Sequence, residues 1–287
     1  MTSVAGAPLF HVDEDALARR ELDAVTRRRH RTSALVAWWR FFVLALLIAA
    51  WYLASGRLVS GLFVSDPWKV ARAFGHELNN GLLLRNARVT LEEALLGYAI
   101  GAAAALACAA LLSLSYALHR VVRPFLMAFY AIPKVALAPL MIMWFGLLEK
   151  PKVILAGVFV FFVVLMSTLA GLQSVGRNVV DVARVMGARR HQILLKIVFP
   201  TAIPTIVTAL RIAIPGAMAG AIIGEFMSSN AGLGYLVQSA SAQFATAQMF
   251  AGIAAILILV LLLDGLLALV ERSLLAWRPG ALQAVGG

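Results

Sequence analysis

Four charged side chains interrupt the long apolar stretches of this sequence, and they are its first candidates for chemistry. Lys134, Arg211, Glu225 and Asp264 each lie within or at the edge of a run of apolar residues. Burying an ionisable group inside a membrane span is unfavourable, so such a group generally faces a partner charge or a polar pathway. We therefore expect these four residues to line a translocation path or a gate.

Arg211 and Asp264 lie at similar depths in their apolar runs. At a rise of 1.5 Å per residue, Arg211 lies about 12 Å and Asp264 about 9 Å from the same side of the membrane. This depth allows an ion pair between two helices, with direct contact to cargo as the alternative. Together with Glu225, the two residues also offer a proton or ion relay, which is the chemistry of a gradient-driven secondary transporter.

Lys134 and Glu225 have no obvious partner in the sequence. Lys134 lies about 15 Å deep with no acid at its level, so it either faces a polar pathway or snorkels. On a pathway, Lys134 would contact an anionic cargo. Glu225 lies about 21 Å along the helix from Arg211, which is too far for an ion pair. The position of Glu225 is consistent with three roles. It is part of an outer gate, it contacts a binding protein, or its carboxylate simply reaches interfacial water.

Residues for other chemistries are missing from the sequence. No lysine follows a glycine, so the phosphate-binding loop of ATPases is absent and we expect no cofactor bound by this chain. The 5 histidines have no metal-ligand spacing, and Cys108 is the single cysteine. A membrane-embedded enzyme needs catalytic groups clustered at one depth, and only Arg211 and Asp264 offer such a pair. We therefore expect a chain that is not an enzyme.

The elements that hold these residues are predicted to be helices in a lipid bilayer. Of the 287 residues, 62% are hydrophobic, well above the usage of globular proteins. A helix needs about 20 apolar residues to cross the membrane, and its own hydrogen bonds satisfy its backbone there. The sequence predicts an all-α membrane protein with about six spans. They cover residues 36–54, 94–114, 124–148, 153–172, 203–227 and 249–270.

The distribution of Lys and Arg predicts which side each loop faces. With the N-terminus inside, the inner segments carry most of the 25 Lys and Arg residues, which predicts both termini in the cytoplasm. This asymmetry accounts for the net charge of +11, so we expect no nucleic-acid partner. About 33 mostly polar residues precede the first span, which indicates an uncleaved anchor. The predicted divisions are a tail (1–33), a membrane domain (34–275) with a cytoplasmic loop (173–200), and a tail (276–287).

Glycine and proline predict local features of this bundle. Gly97 and Gly101 indicate a close helix contact, either within the chain or in a dimer. Asp66-Pro67 predicts a helix start in an external amphipathic segment. The third span is expected to be irregular, because proline lacks an amide donor. Its prolines are Pro124, Pro133 and Pro139.

The polar loop before the fifth span carries the most specific pattern. We expect a short helix that ends near Gly187, a turn that glycine permits, and a second helix from about His191. Residues 181–200 would then form an elbow on the cytoplasmic side, with Pro200 in the first turn of the next span. The ordered positions of the pattern are Asp181, Ala183, Gly187, Ile197 and Pro200.

This pattern resembles the cytoplasmic loop of permease subunits of ATP-binding-cassette importers. The family pattern is Glu-Ala-Ala, three residues, Gly, nine residues, and Ile-x-Leu-Pro. Asp181, Val182 and Phe199 depart from it, and of these only Val182 enlarges a position where a partner needs close approach. Other stretches are similar to permeases of the nitrate, sulfonate and taurine importer group. They are residues 62–73, 94–97, 133–146 and 224–236.

The resemblance implies a type I importer permease in the bacterial cytoplasmic membrane, with several partners. These are a second copy of the chain, two cytoplasmic ATPase subunits that bind ATP and magnesium, and an extracytoplasmic substrate-binding protein. The cargo would be a small anionic solute of the nitrate, sulfonate, taurine or aromatic-acid type, although similar permeases also carry pyrimidine vitamin precursors. The residues implied in contact with the ATPases are Asp181, Ala183, Gly187, Ala188, Ile197 and Pro200.

Two other transport functions compete with this interpretation. An ATP-independent secondary transporter would use the intramembrane charges as an ion relay, but it leaves the pattern of residues 181–200 unexplained. An exporter subunit conflicts with the importer-like loop. The elbow therefore decides between these alternatives.

Overall fold

The computed structural model describes residues 35–36, 38–56 and 63–274. The chain divides into two compact units, Met1–Gly61 and Leu62–Gly287. In the first unit the described residues form one apolar helix, α1 (Trp38–Ala54), which is slightly shorter than the roughly 20 residues that a span needs. The expected tails, 1–33 and 276–287, lie outside the described residues.

The second unit is built from helices throughout its described part. A 3₁₀ turn (Lys134–Leu137) separates α4 from α5, and a π turn (Leu194–Val198) joins α8 to α9. The helices are α2 (Pro67–Asn79), α3 (Leu82–Ser113), α4 (Tyr116–Ala131), α5 (Ala138–Phe145), α6 (Glu149–Gln173), α7 (Arg177–Val185), α8 (Arg190–Ile193), α9 (Phe199–Ser228), α10 (Leu233–Ala242) and α11 (Thr246–Leu274).

Fewer spans are present in the described residues than the six that the sequence predicts. Four helices are long and apolar enough to cross a membrane, namely α3, α6, the continuous helix His191–Ser228 and α11. The predicted run 124–148 is instead bent by 86° between α4 and the segment Lys134–Phe145. Ile132 has an extended backbone, because the residue before a proline is pushed out of the helical conformation. α4 and the segment Lys134–Phe145 count as a fifth span only if together they cross the membrane once.

Small residues allow the central helices to approach closely. α6 packs between α3 and α9 and forms most of the core with them. A Cβ on Gly97 would lie 2.5 Å from the Cβ of Ala156, and Gly101 lies directly against Gly157. A Cβ on Gly220 would likewise lie 2.5 Å from the Cα of Ala156. In lipid, packing of this kind drives helix association. The contact predicted for Gly97 and Gly101 is confirmed, and it lies within the chain.

Helix α2 begins where the sequence predicts. Asp66 accepts a hydrogen bond from the backbone N–H of Trp68 at 2.7 Å. Pro67 occupies the first helical turn. An N–H in that turn has no acceptor within the helix, so a proline costs no hydrogen bond there. α2 then packs against α11, while α10 packs on both α9 and α11.

Candidate functional site

The elbow, residues 181–200, turns at Gly187. The backbone of Gly187 has φ 83°, the left-handed conformation that side chains with a Cβ disfavour. Its N–H donates to the carbonyl of Arg184 at 2.9 Å, and the N–H of Ala188 donates to that of Ala183 at 3.0 Å. These two bonds close α7 at Val185 in the arrangement that typically ends a helix with glycine. Backbone geometry therefore explains why a glycine stands here.

After this turn the chain enters a helix that continues into α9. The side chain of Gln192 accepts the backbone N–H of Arg189 at 2.8 Å, which satisfies a free amide at the start of α8. The π turn follows, and Pro200 is the second residue of α9. Proline has no backbone N–H to donate a hydrogen bond to the preceding turn. The wider π turn is one way in which a helix accommodates this missing hydrogen bond. The elbow is thus joined to α9 as one continuous helix.

The surface of the elbow is unusually apolar for an exposed segment. Val185 is 89% and Met186 82% exposed, and Val182 is also exposed. Ala183 is buried, so its side chain supports the fold of the loop. Exposed apolar side chains that cluster next to a turn are typical of a protein interaction surface.

The remaining positions of the elbow pattern have different environments. Asp181 is exposed and pairs with Arg184 at 3.2 Å, a kind of surface ion pair that contributes little stability. Ala188, Ile197 and Pro200 are partly buried. The structure therefore places Asp181 and Gly187 at the surface, whereas the positions nearer α9 are half covered.

A cavity of about 510 Å³ lies behind the elbow. Its walls include Leu112 of α3, His119 of α4 and Leu172 of α6, together with Arg184 and His191 of the elbow. In the described part of the chain, α7 packs mainly against α8. The elbow consequently has open space between itself and the ends of the long helices, and its firm connection is the continuous helix into α9.

Arg211 forms ion pairs with two acids, Asp264 and Glu271. We call these three residues the elbow-side charge centre. Arg211 donates Nε to Oδ1 and Nη2 to Oδ2 of Asp264, both at 2.9 Å, and Nη1 to Oε2 of Glu271 at 3.1 Å. The ion pair predicted between Arg211 and Asp264 is confirmed. The side chain of Asp264 is 40% exposed, and that of Glu271 is 11% exposed.

Glu225 lies at the opposite, distal end of α9 and is completely buried. The hydroxyl of Thr90 donates to its Oε1 and the N–H of Gly234 donates to its Oε2, both at 2.6 Å. The interpretation of Glu225 as a carboxylate that reaches interfacial water is therefore wrong. Its ligands come from α3 and α10, so Glu225 joins three helices.

The connection between α9 and α10 is held by α3. Asn86 accepts the N–H of Gly232 at 2.7 Å, and Thr90 accepts the N–H of Leu233 at 2.8 Å. Gly232 has φ 110°, and a Cβ at this position would collide with the carboxyl group of Glu225. A glycine is needed here both for its backbone conformation and for the space that Glu225 occupies.

Two further charges complete the distal charge centre (Glu93, Lys152 and Glu225). Glu93 and Lys152 are 3% and 4% exposed and form an ion pair. Lys152 also donates to the hydroxyl of Ser229 at 3.1 Å. The sequence did not indicate Glu93, Lys152 or Glu271, because charges near the end of a span resemble ordinary interfacial residues. A signal for Glu271 was available, since it follows Asp264 by two helical turns on one face.

Lys134 occupies the bend between α4 and α5. Its Nζ donates to the carbonyl of Tyr130 at 3.2 Å and lies 4.7 Å and 5.5 Å from the ring centroids of Tyr130 and Phe162. Aromatic faces attract an ammonium group in this way. Lys134 is half-buried, and within the described residues it has no acidic partner, unlike Arg211 and Lys152.

Comparison with known proteins places these features in context. Residues 97–276 match the family described as "Binding-protein-dependent transport system inner membrane component". The chain is 34% identical over 238 residues to "Riboflavin transport system permease protein RibX" of Chloroflexus aurantiacus, with 82% of this chain and 88% of that protein covered. It is 31% identical over 241 residues to "Taurine transport system permease protein TauC" of Escherichia coli, with the same coverage.

A third relative and a solved structure extend these similarities. The chain is 30% identical over 235 residues to "Putative aliphatic sulfonates transport permease protein SsuC" of Bacillus subtilis, covering 82% of this chain and 85% of that protein. Its fold is similar to a chain of the MetNI methionine ABC transporter, with a TM-score of 0.60 over 69% of this chain and 98% of that chain. At 20% sequence identity, this likeness concerns the fold alone.

Proposed function

This chain belongs to the family of binding-protein-dependent transport system inner membrane components, and on that basis we propose that its elbow couples ATPase subunits to a path for a small anionic solute. At the level of the family the chain is a multi-pass permease subunit of an ATP-binding-cassette importer and not an enzyme. Such permeases work with ATPase subunits and substrate-binding proteins.

The observation that carries the proposed coupling is the exposed apolar surface around Gly187. Val182, Val185 and Met186 are suited to bury their side chains against an ATPase subunit, because exposed apolar area gains free energy when it leaves water. The cavity behind the elbow leaves room for displacement. The continuous helix from His191 to Ser228 would carry that displacement from the elbow to the distal charge centre.

ATP would act through this surface by shifting a conformational equilibrium. A ligand changes the population of two states only if it binds them with different affinity. The ATPase pair therefore has to hold the elbows differently in its open and closed forms. Asp181, Ala183, Gly187, Ala188, Ile197 and Pro200 remain the residues that we assign to this coupling.

For the cargo, we assign the anion contact to Lys134. Arg211 already faces Asp264 and Glu271, so the elbow-side charge centre carries a formal negative charge and would repel an anion. Within the described residues, the partners of Lys134 are a backbone carbonyl and two rings, so no acid there neutralises its charge. Taurine and aliphatic sulfonates, the sulfonate-bearing solutes named for two relatives, illustrate the anionic group that Lys134 would contact, whereas riboflavin is named for a third relative.

The assembly that we propose contains a second copy of this chain, two ATPase subunits and one binding protein outside the cell. The distribution of Lys and Arg supports a cytoplasmic elbow and cytoplasmic termini in the bacterial inner membrane. The competing secondary transporter needs ionisable groups that can relay an ion through the bundle. Arg211 and Glu225 lie about 21 Å apart along α9, and in the described part of the chain each is bound to its own partners, which does not favour this alternative.

Replacing Gly187 tests the coupling, and Gly187→Asn is the control for Gly187→Trp. Gly187→Trp adds bulk where no atom lies within 4 Å of a Cβ, whereas Gly187→Asn keeps a residue that tolerates left-handed backbone. Both chains should insert into the membrane. We expect a tagged Gly187→Trp chain to lose its copurifying ATPase subunits and Gly187→Asn to keep them. Normal ATPase recovery with Gly187→Trp would remove the elbow from the coupling assignment.

A further inference from the structure

The distal charge centre contains more formal negative than positive charge. Glu93, Lys152 and Glu225 come from α3, α6 and α9 and are all buried. Two carboxylates and one ammonium group would leave a net negative charge within the bundle. Burying an unbalanced charge in a membrane span is strongly unfavourable, so another positive charge is required for this arrangement to be stable.

The two carboxyl groups of the distal charge centre differ in the hydrogen bonds that they accept. Both oxygens of Glu225 accept hydrogen bonds, from Thr90 and Gly234. Both oxygens of Glu93 are buried without a hydrogen-bond partner, although Glu93 is paired electrostatically with Lys152. Thr90, which donates to Glu225, precedes Glu93 by three residues on the same face of α3, so the carboxyl groups of Glu93 and Glu225 are neighbours. A hydrogen bond between two carboxyl groups requires one of them to carry a proton.

We propose that the distal charge centre is a proton-binding site in which Glu93 and Glu225 share one proton. The proton supplies the donor that the buried oxygens of Glu93 lack, and with Lys152 it makes the centre neutral. Because the two groups interact strongly, the proton belongs to the pair and not to either residue. It stays bound as a structural ligand, so this site does not require an ion gradient.

A metal ion does not fit the same place. Within the described residues, no group of three or more His, Cys, Asp or Glu side chains could hold one. The surrounding backbone is also closely packed, since a Cβ on Gly234 would lie 2.7 Å from Oε2 of Glu225 and a Cβ on Gly224 would lie 2.7 Å from Cγ of Lys152. A proton is the cation that requires no additional volume.

The shared proton would hold the distal end of the bundle together. The charged groups that face the pair are Lys152 and, further away, Glu149, both on α6. α10 contributes only the backbone N–H of Gly234. The neutral pair therefore ties α3, α6, α9 and the start of α10 into one unit, independently of the elbow and of its proposed partner.

Infrared spectroscopy of the purified permease–ATPase complex tests this site. The wild-type complex at neutral pH should show the carbonyl band of a protonated carboxylic acid, shifted in heavy water. Glu93→Gln and Glu225→Gln should each remove the band, since each leaves one carboxylate opposite Lys152. Glu92→Gln is the matched control, because Glu92 is the exposed neighbour of Glu93 and pairs with Arg88. This control should keep the band.

The same variants provide a second measurement, the midpoint of thermal unfolding. Each single Gln variant should unfold close to the wild type, because the amide replaces the neutral acid as a donor. The double variant should unfold at a clearly lower temperature, because Lys152 then lacks an acid. If Glu225→Gln fails to assemble, the loss of the band in Glu93→Gln decides the matter. A wild-type complex without the acid band, or a band retained in Glu93→Gln, would overturn the proposal.

Discussion

The distal charge centre and the elbow-side charge centre are both built on α9, but only the first is fully buried within the chain. Glu93, Lys152 and Glu225 are buried, and Glu225 accepts the backbone N–H of Gly234 at the start of α10. In the elbow-side centre, Asp264 is 40% exposed and Arg211 25%. Charges in a closed site are screened little by water, whereas exposed pairs are weakened by it. The two centres therefore suit different tasks.

This difference concerns the helices that each centre joins. The distal centre is buried and joins α3, α6, α9 and the start of α10. The elbow-side centre joins α9 to α11, because Asp264 and Glu271 on one face of α11 both bind Arg211.

The largest expected effect is the loss of the cation from the distal centre. Lys152→Met removes the ion-pair partner of the buried Glu93, and breaking a buried ion pair typically costs about 3–5 kcal/mol of stability. Unfolding of the purified chain in detergent measures this loss. Lys150→Met is the matched control, because Lys150 is exposed two positions away. Equal stability of the two variants would show that the distal centre does not stabilise the helices that it joins.

A smaller effect is expected at Lys134, which belongs to neither centre. Lys134→Met keeps an apolar stem against Tyr130 and Phe162 but removes the charge. Uptake of an anionic cargo should fall about tenfold, which corresponds to about 1.4 kcal/mol, while stability changes little. The measurement is ATP-driven uptake of the cargo that the partner binding protein delivers. Unchanged uptake of an anion would remove Lys134 from the pathway.

The smallest effect is predicted for the elbow-side centre. Asp264→Asn removes one partner of Arg211, but Glu271 remains and Asp264 is partly exposed. We expect a smaller loss of stability than for Lys152→Met, because Arg211 keeps Glu271 as a partner. A double-mutant cycle with Arg211→Gln measures the interaction between the two residues. An interaction energy between Arg211 and Asp264 as large as the stability loss in Lys152→Met would contradict the predicted difference between the two centres.

The sequence predicted the elbow more fully than it predicted the charge centres. Gly187 stands out because local backbone geometry alone requires a glycine there, and such requirements are visible in a short pattern. Glu93 and Lys152 were missed because their pairing depends on how α3 and α6 pack, which no local pattern records. Pro133 likewise predicted an irregular third span, but the 86° bend also depends on tertiary packing.

Photo-crosslinking from the elbow tests the coupling claim most directly. Cys108 is the single cysteine, so a Cys108→Ser chain that also carries Val185→Cys can be labelled with a benzophenone maleimide at one position. Illumination of the assembled complex should attach this chain to the ATPase subunit. The control is Arg88→Cys, an exposed position at the distal end of the bundle, which should not capture the ATPase. Capture from position 88 alone, or from neither position, would contradict the account.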